Sequence, residues 1–158
     1  NILTRNIRYL PTRFVIEPFL VQMGAKANLV NEPINIVNGI DSVVIRQYVG
    51  GITGGRTLDM TDFKEDVVKA GHLVIRTLDE DGANYIYKPM PVENGAYKAL
   101  PAKHEYVGVI VCSKPANEPL VGVMDNGRVN DKAMPYPVTE EMRTALKTAL
   151  PNLILEHD

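Results

Sequence analysis

Short runs of β-branched and aromatic residues, separated by glycine, proline and asparagine, recur along the chain after residue 40. Residues 42–49 form one such run and predict a strand. Residues 72–78 and 84–88 form two more, on either side of the turn-forming sequence Asp79-Glu-Asp-Gly82. Because a tight polar turn between two β-prone runs is typical of a hairpin, we expect these two strands to pair antiparallel.

The same pattern continues through the second half of the chain. Residues 106–112 and 120–124 predict two further strands, and Asp125-Asn-Gly127 predicts a turn after the second of them. Strands that follow each other at intervals of roughly 8–12 residues, with turn residues between them, are typical of a sandwich or a barrel. The predicted fold class is therefore mainly β, a small barrel-like or sandwich-like (β-tulip-like) domain.

A single helix is predicted near the C-terminus. Thr139 can cap it, and Glu140 and Glu141 place carboxylates in the first turn, where they favour the positive end of the helix dipole. Pro151 ends the helix, and residues 153–156 predict a short final strand. The apolar positions of the helix recur at helical spacing and predict a stripe that packs on the sheet: Met142, Ala145, Leu146, Ala149 and Leu150.

Residues 1–50 differ in pattern and predict an extended N-terminal arm, with residues 51–158 as the β-rich domain. Their apolar residues come in short bursts interrupted by Pro11, Pro18 and Pro33, which disfavour a long helix. Residues 1–30 contain four basic side chains against Glu17 alone, in a chain whose net charge is −2. We expect this segment to dock on a partner chain, although an ordinary β region of the same core is an alternative.

Composition excludes several classes of protein. A length of 158 residues suits one domain with room for an arm. A net charge of −2, no Trp and 6% aromatic residues disfavour nucleic acid as a partner. No apolar run approaches the roughly 20 residues that span a bilayer, so a membrane is not an expected partner either. The one cysteine, Cys112, lies in an apolar run and predicts a buried thiol.

The sharpest candidate for chemistry is residues 50–57, Gly-Gly-Ile-Thr-Gly-Gly-Arg-Thr, which have the spacing of a phosphate-binding loop. Arg56 stands where that motif has lysine, and the residues after Thr57 do not predict a helix whose N-terminus could face a phosphate. Nucleotide binding is therefore a remote alternative. The other interpretation is a glycine-rich turn in which Arg56 pairs with Asp59 or Asp62.

No catalytic, cofactor or metal site is predicted from the remaining polar residues. His72, His104 and His157 are scattered, without the spacing of metal ligands, and predict surface or locally hydrogen-bonded histidines. Asp79-Glu-Asp-Gly82 is too short for a calcium loop and predicts a solvated turn. Lys69-Ala-Gly-His also resembles the turn–strand pieces of biotinyl- and lipoyl-type barrels, without their lysine-bearing hairpin.

The order of elements resembles that of one known family. Gly55-Arg-Thr-Leu-Asp59 precedes Lys69-Ala-Gly71, and Tyr87-Lys-Pro89 ends the hairpin. The later pieces are Ala99-Leu-Pro-Ala102, Tyr106-Val-Gly-Val-Ile110, Leu120-Val-Gly-Val-Met-Asp-Asn-Gly-Arg-Val-Asn130, the helix over 140–150 and the strand over 153–155. Over about residues 50–158 the chain is similar to the head-decoration proteins of tailed bacteriophages, the lambda-type group, and to related head fiber proteins.

This resemblance implies a structural virion protein without enzymatic activity. It implies a homotrimer on the outer capsid surface that cements or decorates the lattice and binds the major capsid protein, with host cytoplasm as its location during assembly. Further head fiber proteins or surface glycans are possible partners that it leaves open. The front segment is longer than in lambda-type proteins, so both a cement protein and the base of a longer fiber fit.

Two groups of residues are candidate contacts under this resemblance. Arg56 and Asp59 are expected to hold the junction between arm and domain, or a subunit contact. A head-displayed module that binds glycans on the host surface is the alternative function. Its basis is Tyr85, Tyr87 and Tyr97, which lie near predicted turns and are expected to be exposed. The candidate contacts of the arm with the capsid are Arg5, Arg8, Tyr9, Arg13, Phe14 and Phe19.

Overall fold

A six-stranded sheet organises residues 39–158, the part of the chain that the computed structural model describes. The helices are α1 (Asp41–Val44) and α2 (Glu140–Ala149). The strands are, in chain order, β1 (Ile45–Gly51), β2 (Arg56–Thr57), β3 (Val67–Val68), β4 (Leu73–Leu78), β5 (Tyr85–Pro89), β6 (Val92–Glu93), β7 (Ala96–Tyr97), β8 (Glu105–Ile110), β9 (Lys114–Pro115), β10 (Leu120–Val121), β11 (Val123–Asn130) and β12 (Leu153–Glu156).

The main sheet has the strand order β1-β11-β8-β4-β5, and its pairs along this order are antiparallel. β12 pairs parallel with the second half of β11, beyond the two residues that pair with β8. Within residues 39–158 the sheet does not close into a barrel, since β1 and β5 form its two ends. The prediction of a mainly β domain with a helix near the C-terminus is confirmed.

Each face of the sheet carries its own apolar core, as the alternation of side chains along a strand requires. Helix α2 packs on one face through Met142 and Leu146. Turns and short strand pairs cover the other face: β2 with β10, and β3 with β9. Buried on the helix side are Leu73, Ile75, Met90, Val109, Met124 and Val129, and on the other side Leu58, Val68, Val74, Ile110, Val121 and Val123.

Helix α2 begins and ends as its sequence predicts. The Thr139 side chain accepts a hydrogen bond from the Met142 N–H at 3.2 Å, which satisfies one of the free donors of the first turn. The chain leaves the helix at Leu150, before Pro151, and β12 follows. Ala145 and Ala149, however, are exposed, so the buried stripe is narrower than the predicted one.

Two local predictions were wrong. The strand predicted over 42–49 begins only at Ile45, after the single turn of α1, and continues to Gly51. The predicted turn at 125–127 lies inside β11, where Gly127 pairs with both Tyr48 and Leu153. A Cβ on Gly127 would lie 2.3 Å from the Gln47 carbonyl oxygen, so this glycine permits close strand pairing instead of a turn.

The first strand also bears on the predicted arm. Residue 50, where the arm was expected to end, lies within β1, so residues 45–51 belong to the main sheet. The predicted capsid contacts of the arm, from Arg5 to Phe19, lie outside the described residues. Cys112 is exposed, which overturns the expectation of a buried thiol. Strand β8 ends at Ile110, and Cys112 lies in the bend that follows, outside the alternation that buries its neighbours.

Candidate functional site

Residues 50–57 form a turn between two strands, and not a phosphate-binding loop. β1 ends at Gly51, the Gly55 N–H donates to the Ile52 carbonyl at 3.1 Å, and β2 pairs with β10. A strand therefore follows Gly55 where the phosphate motif requires a helix. Gly55 has a φ of +67°, and a Cβ there would lie 2.5 Å from the Val121 carbonyl oxygen. This turn needs glycine for its backbone geometry.

Arg56 lies against the hairpin of β4 and β5. Its Nη1 donates to the carbonyls of Gly55 at 2.6 Å and Thr53 at 3.3 Å. Its guanidinium carbon lies 5.4 Å from the centre of the Tyr87 ring, within the range of a cation–π contact. Within residues 39–158, Arg56 forms no ion pair with Asp59 or Asp62, so the pairing considered from the sequence is wrong.

Asp59 reaches the same tyrosine through its backbone. The Asp59 N–H donates to the Tyr87 carbonyl at 2.7 Å, while its carboxylate accepts from the Thr61 N–H at 3.0 Å and from the Thr61 hydroxyl. These bonds from Thr61 hold the pKa of Asp59 below its ordinary value. Arg56 and Asp59 thus meet at Tyr87 within one chain. Their predicted role at a junction or subunit contact stays a prediction.

A second arginine–tyrosine contact lies beside the first. The Arg76 guanidinium carbon lies 4.0 Å from the centre of the Tyr85 ring, and Arg76 Nε donates to Glu105 Oε1 at 2.5 Å. The register of the strands brings these side chains together. Arg76 is directly opposite Tyr87 on β5 and directly opposite Glu105 on β8. Side chains of directly paired residues lie on the same face of a sheet.

These five side chains form what we name the arginine–tyrosine face: Arg56, Arg76, Tyr85, Tyr87 and Glu105. The two tyrosine rings are 6.5 Å apart and tilted by 57°. Hydrogen bonds from Arg56 and, to a smaller extent, from Arg76 hold the pKa of the Tyr87 hydroxyl below its ordinary value. Two guanidinium groups and one carboxylate give the face an excess of one positive charge, and Tyr85 keeps 47% of its surface exposed.

Tyr97 does not belong to this face, contrary to its predicted exposure. It is buried, and its hydroxyl accepts a hydrogen bond from the Leu73 N–H at 3.2 Å. Its ring packs edge-on against His72, as do the rings of Phe63 and Tyr136, at centroid distances of 5.4, 5.8 and 5.6 Å. Tyr97 is therefore a core residue and not a candidate for glycan binding.

His72, at the centre of these rings, is buried as well. Of its two predicted settings, on the surface or locally hydrogen-bonded, the surface position is wrong. Its Nε2 lies 2.9 Å from the Met90 carbonyl oxygen. Because a carbonyl only accepts, Nε2 carries a proton and donates it to this oxygen. Burial lowers the pKa of His72 to about 4, against weaker opposing effects of Met90 and Glu65.

A groove of about 890 Å³ opens beside this aromatic cluster. Phe63 and Tyr136 line it from the cluster side, and the Tyr136 hydroxyl donates to Glu65. Lys88 and Lys98 also line it, with Lys98 paired to Glu93 at 3.3 Å. Side chains of both charge signs line the groove, which favours no single class of charged ligand.

The two remaining histidines have local partners. His104 Nδ1 lies 2.8 Å from the Ala102 carbonyl oxygen, as a locally hydrogen-bonded histidine should. His157 Nδ1 lies 2.9 Å from Asp131 Oδ1, and Arg143 binds the other oxygen of this carboxylate. Asp131 is 3% exposed at its side chain, so these contacts tie the end of β11 to α2 and to the end of the chain.

The first ten residues or so of the described chain leave apolar side chains in solvent. Ile40, Val43, Tyr48 and Val49 are each more than half exposed, and we name them the apolar edge. β1 pairs only with β11 among the strands of residues 39–158, so within this range its other backbone edge has no strand partner. Exposed apolar side chains on and beside such an edge strand are typical of a surface that another chain covers.

Residues 39–158 contain no group of three or more His, Cys, Asp or Glu side chains arranged to hold a metal ion. None of the helices in this range has the length and apolar character that crossing a membrane requires.

Comparisons of the chain with protein-family models, with curated proteins and with solved structures found no match.

The sequence pointed to some residues of these surfaces and missed others. Arg56, Tyr85 and Tyr87 were singled out, but Arg76 and Glu105 were not. Counting outward from the turn at 79–82 pairs Leu78 with Tyr85 and Arg76 with Tyr87, so the hairpin register could have found Arg76. The pairing of β8 with β4, which brings Glu105 to the same place, has no local signal in the sequence.

Proposed function

We propose that the protein is a structural virion protein that binds the outer surface of a phage capsid as a trimer, as a head decoration or head fiber protein. The observation that carries this proposal is the apolar edge, four exposed apolar side chains within ten residues of one another. Ile40 and Val43 lie at and in α1, and Tyr48 and Val49 lie on β1. The major capsid protein and further copies of this chain are its proposed partners, on the outer capsid surface and, during assembly, in the host cytoplasm.

The position of the apolar edge in the sequence supports the same proposal. The basic, proline-interrupted segment of residues 1–38 leads directly into Ile40, Val43 and β1. A binding surface that continues from an arm into a sheet edge can combine backbone pairing with apolar contact. A specific interface commonly buries about 800 Å² on each partner, which an arm and a seven-residue strand can supply together.

The proposal is tested by placing a charge on the apolar edge. Val49→Lys should reduce binding of the purified full chain to undecorated capsids at least about tenfold, because a desolvated lysine opposes the contact. Ile86→Lys is the matched control, since Ile86 is also exposed but lies on β5, at the opposite end of the sheet. Equal capsid binding by both variants, with both folded, would overturn the role of the edge.

A further inference from the structure

We propose that the arginine–tyrosine face is a binding site for an acidic saccharide, a sugar chain that carries carboxylate groups. This site is separate from the apolar edge and does not depend on the proposed capsid role. The face lies on the hairpin of β4 and β5, at the far end of the sheet from β1.

The charge of the face favours an anion. Arg76 is neutralised by Glu105, but Arg56 forms no ion pair within residues 39–158: its guanidinium contacts the neutral carbonyls of Thr53 and Gly55 and the Tyr87 side chain. The two carbonyls bind Nη1 and fix the plane of the guanidinium. Of its five N–H donors, those that the carbonyls and Tyr87 do not use remain for a ligand. A guanidinium held in place matches a carboxylate in a bidentate arrangement, with little further loss of side-chain freedom.

The tyrosine rings favour a saccharide over other carboxylate ligands. Tyr85 is 47% exposed and lies next to Tyr87 at 6.5 Å, so the face offers aromatic surface beside the free charge of Arg56. The C–H groups of a sugar ring present an apolar surface that an aromatic ring can cover, while its hydroxyl groups bond polar neighbours. Leu78, directly opposite Tyr85 and half exposed, extends the apolar surface by one residue.

The strands hold these groups in one arrangement before a ligand binds. Arg76 is fixed between the Tyr85 ring and Glu105, and Arg56 is fixed by two backbone carbonyls. The Tyr87 carbonyl accepts a hydrogen bond from the Asp59 N–H, which anchors β5, the strand that carries both tyrosines. A site whose side chains are already placed loses less entropy on binding than one that must order them.

The test is calorimetric titration of the full chain with tetragalacturonate, an oligosaccharide of four uronic acids. The fully methyl-esterified form of the same oligosaccharide keeps the sugar and removes the charge. We expect the acid to bind at least about tenfold more tightly than its ester, as expected for one charge-assisted bidentate contact. Absence of binding by the acid, or equal binding of both forms, would overturn the proposal.

Variants locate the binding. Arg56→Gln and Tyr85→Ala should each weaken binding of the acid by about tenfold or more. Arg128→Gln is the matched charge control. Arg128 is exposed on β11, away from the face, so this substitution removes the same charge at a different place. The variant should change the affinity for the acid less than about twofold. Equal losses from Arg56→Gln and Arg128→Gln would show that only net charge matters, and would overturn the site.

A peptide of six glutamates separates a saccharide site from a site for acidic peptides. It carries carboxylates without sugar rings, so we expect it to bind at least about tenfold more weakly than the uronate, with no further loss in Tyr85→Ala. Peptide binding as tight as that of the saccharide would overturn the saccharide assignment. Tyr85 is exposed, so its variant keeps this test valid even if Arg56→Gln unfolds the chain.

Discussion

Asp41 and Ser113 are joined by two hydrogen bonds that fix the start of the described chain to the body of the domain. Asp41 Oδ2 accepts from the Ser113 N–H at 2.8 Å, and Asp41 Oδ1 accepts from the Ser113 hydroxyl at 2.7 Å. The Ser113 oxygen in turn accepts from the buried Ala70 N–H at 3.1 Å. The turn before β1 is thereby anchored to the bend after β8, which orients the apolar edge.

Replacing Asp41 with alanine should therefore destabilise the fold. Ser113 would lose the acceptor for its N–H and its hydroxyl in a partly buried position, which costs about 1–3 kcal/mol of unfolding free energy. Urea denaturation followed by circular dichroism measures this loss of unfolding free energy. Asp81→Ala is the control, because Asp81 is exposed in the hairpin turn and should lose less than about 0.5 kcal/mol. Equal stability of the two variants would contradict the anchoring role of Asp41.

The two adjacent glycines of the 52–55 turn should tolerate alanine unequally. Both have positive φ, +78° at Gly54 and +67° at Gly55, so each substitution costs about 1–2 kcal/mol from backbone strain. Only at Gly55 would the new Cβ also meet backbone, the Val121 carbonyl oxygen at 2.5 Å, whereas at Gly54 nothing lies within 4 Å. In thermal unfolding, the melting temperature of Gly55→Ala should be clearly lower than that of Gly54→Ala. Similar melting temperatures would show that the approach to Val121 is not limiting.

His72 should make the fold sensitive to mild acid. Its pKa is about 4 in the folded chain because it is buried, against an ordinary value of 6.5. The unfolded chain therefore binds the proton at higher pH than the folded one, so stability is full above about pH 6.5 and falls as the pH decreases toward 4. The expected loss is roughly 3 kcal/mol over this window.

The variant His72→Gln isolates this effect. It removes the titrating group, so unfolding free energies measured in urea at pH 7.5 and 4.5 should differ by less in the variant than in the original chain. A His72→Gln variant with the original pH dependence would show that His72 does not titrate with unfolding.

Asp131 should affect the stability of the fold at lower pH than His72 does. Burial alone would raise the pKa of Asp131, but hydrogen bonds from Arg143 and His157 outweigh it and hold the pKa below its ordinary value of 3.8. Its contribution to stability is therefore present above about pH 4 and is lost as the pH falls through the lowered pKa. Asp131→Asn should be less stable at pH 7 by about 3 kcal/mol and should show a flatter decline below pH 4. Parallel declines in both proteins would contradict the lowered pKa.

Local signals predicted the hairpin and the last helix well, because their determinants are short in sequence. The turn at 79–82 and the Thr139 cap act within five residues of the elements that they define. Long-range pairing decided what the sequence did not predict. Asn126 and Gly127 favour a turn locally, but pairing with β1 and β12 keeps β11 extended through them.

For the candidate surfaces, the sequence likewise indicated single residues but not the contacts between them. Arg56 stood out because it follows two glycines, yet its contact with Tyr87 depends on a bridge between Leu58 and β5. The exposure of Cys112 and the burial of His72 follow from where β8 ends and where three aromatic rings meet. No spacing along the chain encodes either of these facts.

The most direct test of the proposed capsid role is electron cryomicroscopy of undecorated capsids mixed with the purified full chain, with the number of bound chains counted per capsomer. Saturable binding at fixed lattice positions, as clusters of three chains with the apolar edge of Ile40 to Val49 at a contact, is the predicted result. Bare capsids at saturating concentrations, together with a strictly monomeric mass in solution, would contradict the proposed function.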